Sequence, residues 1–115
     1  MKKLKKKFLP AISGMIEGIK KDSSIQLQYL LGVLAISSAF FFRFTVFETV
    51  IVLLFIVLVI ALEYINTALE IVCNEFTVKE NENVRRVKDY ASAAVLIVSL
   101  GALIVGLIFI FKHIS

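Results

Sequence analysis

Cysteine occurs once in this 115-residue chain, at Cys73, so no intramolecular disulfide can form and the residue reads as a small packing side chain. Histidine is also single, and His113 stands far from Cys73 along the chain, which excludes a metal site built from thiolates and imidazoles. Proline is confined to Pro10, and no repeat, low-complexity tract or long linker is present, so 1–115 reads as one domain. A secretory leader is a poor reading. Residues 1–7 are basic, but Pro10, Gly14, Glu17 and Gly18 follow before any long apolar run, and the amino terminus is expected to be retained. The formal charge of +4 comes without any basic motif interleaved with aromatics, which argues against a nucleic-acid partner.

What the chain has in quantity is apolar surface, with 59% hydrophobic residues, more than an ordinary soluble domain carries. Windows at 25–44, 47–62 and 90–111 are the segments suited to crossing about 30 Å of hydrocarbon. The second window is short, yet it runs on without a helix breaker, so a helix is expected over 47–74 that projects beyond the bilayer. Lys and Arg stay preferentially on the cytoplasmic side of short loops. Eleven of the thirteen fall in 1–24 or 75–90, and only Arg43 and Lys112 fall at the opposite ends. A multi-pass protein of the cytoplasmic membrane is therefore expected, with the amino terminus and 75–90 inside and the 43–48 turn and carboxyl terminus outside.

Ahead of the first window, Phe8, Leu9, Ile12, Met15, Ile16 and Ile19 recur at helical spacing between polar residues, which suits an amphipathic surface helix over about 8–21. Pro10 is expected in its first turn. Asp22, Ser23 and Ser24 can cap the helix that follows. The fold class is thus an all-α membrane protein: one surface helix and three transmembrane helices in a bundle, whose polar faces three helices alone cover poorly. Association with further copies is expected.

Charged side chains at membrane depth cost several kcal/mol unless paired or wet, so Glu63 and Glu70 need an explanation. With Asn66, Thr67 and Asn74 they form a single stripe on a helix. Asp22 before the first membrane helix, and Arg85, Arg86, Lys88 and Asp89 before the third, lie on the same side of the membrane. Carboxylates can hold magnesium and cations can receive phosphate oxygens, so the parts for phosphoryl transfer are present. Interhelical polar glue is the competing reading, with Asn66 and Thr67 hydrogen-bonding and the glutamates paired to Arg86 or Lys88. An ion path is disfavoured, because the stripe stops near the inner interface.

These residues resemble the prokaryotic diacylglycerol kinase and undecaprenol kinase family. The match is carried by Glu63-x-x-Asn66-Thr67-Ala68-x-Glu70, then Lys88-Asp89 and Ala93-Ala94-Val95, with Glu17-Gly18-Ile19-Lys20 similar to the family's surface-helix segment. It extends over essentially the whole chain. The resemblance implies a homotrimer with active sites shared between subunits, and magnesium-dependent transfer of the γ-phosphoryl group of ATP to a membrane lipid alcohol. It implies Glu63 as catalytic base, Asp22 and Glu70 as magnesium ligands at the nucleotide, Lys88 and Asp89 as further nucleotide contacts, and Asn66 and Ser92 beside the lipid. Asn66-Thr67-Ala68 and Gly18-Ile19-Lys20 look nearer the undecaprenol branch, with diacylglycerol left open as acceptor. Four positions depart from the family pattern: Asp22 where Glu is usual, Gln26 where Arg is frequent, Asn74 where Asp is usual and Asn81 where His is frequent. An active kinase and a catalytically degenerate membrane assembly protein of the same fold both remain open on these residues.

Overall fold

A computed structural model describes residues 1–76 and 82–115. Asn81 lies outside the described residues. Four helices follow one another, α1 (Lys2–Lys21), α2 (Ser23–Phe41), α3 (Val46–Phe76) and α4 (Glu82–Ile114), and the described residues contain no strand. The last three are long and apolar enough to cross a membrane. The chain is an all-α, multi-pass membrane protein.

Asp22 makes the first corner. Its backbone is extended, its N–H caps α1 on the Gly18 carbonyl at 3.0 Å, and its Oδ1 accepts the Ile25 amide of α2 at 3.0 Å. α2 ends at Phe41, short of the expected 44, in a Schellman motif: Phe44 N–H reaches the Ala39 carbonyl at 2.9 Å and Arg43 N–H reaches Phe40 at 3.3 Å. Arg43 adopts the left-handed conformation, φ 59°, that this motif requires and that glycine normally supplies. Thr45 and Glu48 then open α3 with a capping box, Glu48 N–H to Thr45 Oγ1 at 3.1 Å and Thr45 N–H to Glu48 Oε1 at 2.8 Å.

Two helices start earlier than their apolar patterns suggested. α1 begins at Lys2, not near 8, which leaves Pro10 in its interior. Proline removes the donor to the Lys6 carbonyl and its ring crowds that carbonyl, but this face is exposed, so solvent can take the freed acceptor. α4 begins at Glu82, not at 90, because Arg85 bridges Glu82 and Asp89 while Arg86 reaches the Tyr90 hydroxyl at 3.1 Å, side-chain pairs one turn apart that support a polar helix. At 1.5 Å per residue α3 and α4 are about 45–50 Å long. Both overshoot the hydrocarbon, and their extensions meet where Lys88 of α4 reaches Asn74 of α3.

α3 is the central element, packed by α2 on one flank and α4 on the other. Its neighbours bury Val52, Val59 and Cys73, together with Ile25 and Ala39 of α2. Leucines, isoleucines and phenylalanines stay exposed all around α2, α3 and α4, an arrangement that hydrocarbon or further helices can cover and water cannot. Between α2 and α4 runs an apolar cavity of about 500 Å³, reaching from Gln28 past Gly32, Val59 and Ser99 to Phe44 and Ile110.

Candidate active site

The stripe of α3 comes to rest where the long helices meet the α1–α2 corner. Glu63 is 5% exposed and Asn66 8% exposed, burial that is unusual for such groups without partners. The Asn66 amide bridges the two glutamates: Nδ2 donates to Glu63 Oε2 at 3.3 Å and to Glu70 Oε1 at 3.2 Å. Residues 63, 66 and 70 stand three and four apart, so the bridge follows from helical geometry. Gln28 of α2 adds a second donor to Glu63, Nε2 to Oε1 at 3.3 Å, at the end of the apolar cavity. Buried Asn66 Oδ1 has no donor among the described residues.

Asp22 joins this group through Thr67, whose Oγ1 donates to Asp22 Oδ2 at 3.0 Å. Thr67 stands three residues before Glu70 on α3, and among the described residues no hydrogen bond joins Asp22 to Glu70. Among the described residues, no group of three acidic, histidine or cysteine side chains has metal-holding geometry.

The α4 residues are arranged differently from the polar-glue reading. Lys88 Nζ donates to Asn74 Oδ1 at 2.6 Å, Arg85 is taken by Glu82 and Asp89, and Arg86 lies over the Tyr90 ring, 5.6 Å from its centroid. Among the described residues no Lys or Arg is paired with Glu63 or Glu70. Asp89 is 59% exposed in its ion pair with Arg85, and Ser92 is exposed one turn further on. Gln26, standing where the family often has Arg, donates from Nε2 to the Ile19 carbonyl at 2.9 Å and the Lys20 carbonyl at 3.3 Å, closing the end of α1. Asn74, where the family has Asp, keeps an oxygen for Lys88.

The family profile of prokaryotic diacylglycerol kinases matches residues 10–110. The chain belongs to the prokaryotic diacylglycerol kinase family. No curated protein matches it significantly. The matched span takes in α1 from Pro10 and every candidate site residue from Asp22 to Ser92. The apolar cavity ends at Gln28, and the Gln28 amide donates to the buried Glu63 carboxylate.

Gln28 was not evident from the sequence, where it is one polar residue inside an apolar window; its partner is 35 positions away. By sequence Glu48 belongs only to the 43–48 turn. It is 4% exposed and accepts from Lys112 Nζ at 2.9 Å and His113 Nε2 at 2.7 Å, with Phe44 stacked on the His113 ring at 5.4 Å. The Thr45-x-x-Glu48 spacing was the available signal for half of this arrangement.

Proposed function

We propose that this protein is an ATP-dependent lipid kinase that phosphorylates a membrane alcohol, undecaprenol or diacylglycerol, at the cytoplasmic face of the cytoplasmic membrane. The observation that carries this reading is the buried Glu63, oriented by two amide donors and joined through Asn66 to Glu70, within a chain of a lipid kinase family. Gln28 and Asn66 fix the Glu63 carboxylate while leaving lone pairs for a third donor. A lipid hydroxyl there can pass its proton to Glu63 as its oxygen bonds to the γ-phosphorus and the bond to the β–γ bridging oxygen breaks.

Glu70 and Asp22 are the residues that would hold magnesium. Two carboxylates suit this ion, which takes its remaining ligands from water and phosphate, and Asn66 Oδ1, without a donor among the described residues, is a further hard oxygen near Glu70. When bound, magnesium neutralises charge on the transferring phosphoryl group. Lys88 is held by a neutral amide oxygen and makes no ion pair among the described residues, so its charge is available to phosphate oxygens. Asp89 and Ser92, both exposed, are the outlying members of the proposed nucleotide and lipid contacts. The apolar flanks are covered by two further copies in a homotrimer.

Purified protein in lipid micelles, given γ-labelled ATP, magnesium and each alcohol, tests the reading. The unsubstituted chain should label one of them, and Glu63→Gln should lower the rate by roughly 10²–10⁴-fold with assembly intact. No transfer to either alcohol, with Glu63→Gln and Glu70→Ala losing assembly instead, would favour a purely structural stripe. A reporter fused after Ser115 should be found outside the cell membrane.

A further inference from the structure

Tyr64 follows Glu63 on α3 but faces away from it, toward α1. Its hydroxyl donates to the Met15 carbonyl at 2.7 Å, a bond that ties α1 directly to α3. Because its single proton is committed there, the Tyr29 hydroxyl 3.1 Å away must be the donor to Tyr64 oxygen, and the two rings meet edge to face at 6.5 Å. The ring lies so close to α1 that a Cβ at Gly18 would stand 2.5 Å from Tyr64 Cε1. Gly18 is thus the notch that receives the ring. Four residues later comes Asp22, whose N–H bonds the Gly18 carbonyl itself. Tyr64 and Thr67 are three apart on one face of α3: the first fixes α1 at Met15 and Gly18, the second receives Asp22.

We propose that Tyr64 is a positioning residue for the reaction, acting through Asp22: the notch at Gly18 and the bond to Met15 set where the α1–α2 corner presents its carboxylate to the site. This rests on the reading of Asp22 as a magnesium ligand. A shift of α1 on the Tyr64 ring displaces the Gly18 carbonyl, and with it the cap that orients Asp22. Glu63 and the cavity beside Gln28 have other supports, so the lipid side of the reaction does not depend on this joint.

The test uses the full chain in micelles with Tyr64→Phe, Gly18→Ala and Asp22→Asn. Amide hydrogen exchange over 13–22 should rise in the first two. Manganese binding, followed by electron paramagnetic resonance without ATP, should weaken roughly three- to tenfold in Tyr64→Phe, the range expected from losing one hydrogen bond. The half-saturating magnesium concentration in the kinase assay should shift equally, with KM for the lipid unchanged. Added to Asp22→Asn, Tyr64→Phe should bring no further loss. Unchanged metal binding in Tyr64→Phe, a matching change in lipid KM, or an equal effect in the Asp22→Asn background overturns the inference. An unsubstituted protein that phosphorylates neither alcohol overturns the kinase reading and, with it, this role; an active one insensitive to Tyr64→Phe overturns the role alone.

Discussion

Gly32 of α2 packs directly against Ile56 of α3, and replacing it with alanine should destabilise the bundle even though alanine is the better helix former. A Cβ there would sit 2.8 Å from Ile56 Cγ2 and 4.0 Å from Ile56 Cβ. Relief of the glycine helix penalty contributes about 1 kcal/mol. Overpacking costs about 1–3 kcal/mol. Ile56 Cγ2 hangs on a branched carbon with one strongly preferred rotamer in a helix, so it cannot swing aside and the helices must part. The upper half of the range applies, and the net loss is about 1–2 kcal/mol. Gly14→Ala is the control, since nothing lies within 4 Å of a Cβ there and the helix term should be gained uncompensated. Both can be read from reversible unfolding in mixed micelles, followed by helix circular dichroism. In an Ile56→Leu background, which moves the branch away from Cβ, most of the Gly32→Ala loss should vanish. If Gly32→Ala is stabilising by as much as Gly14→Ala, the packing argument for α2 on α3 is wrong.

Glu48→Gln keeps the acceptor for the Thr45 amide but removes the charge that holds Lys112 and His113, so amide exchange across 109–114 should rise while 63–70 is unaffected; unchanged exchange in 109–114 would refute the clamp. Asn74→Ala takes away the oxygen on Lys88 and should raise the half-saturating ATP concentration roughly three- to tenfold with the lipid value unchanged, which steady-state kinetics in micelles will show. Arg43→Gly frees the Schellman turn from its left-handed side chain and should raise stability by about 1 kcal/mol; a lower unfolding midpoint would mean that Arg43 makes a compensating contribution.

The spans were legible because hydrophobicity over twenty residues is a cumulative signal, and the 63, 66 and 70 stripe because it lies within one helix whose period is fixed. What could not be read depends on how helices rotate against one another. Nothing in the sequence opposes Gln28 to Glu63 or sets Tyr64 into Gly18, since those pairs are 35 and 46 positions apart. Helix ends escape the apolar pattern for a different reason: the early start of α4 rests on charge pairs and α1 begins within an exposed lysine run, neither of which an apolar pattern registers. Lys88 illustrates both limits. Its place one turn ahead of the third apolar stretch was evident, but its partner, Asn74, becomes its neighbour only when α3 and α4 pack side by side.

Asp22 spends both of its oxygens on the protein itself, one on the first turn of α2 and one on Thr67. A cation drawn to that carboxylate must share an atom that already fastens two helices to a third. Ion arrival and departure would then tug on the hinge between the peripheral arm and the bundle, so that the resting and loaded forms of the molecule need not hold that arm at the same angle.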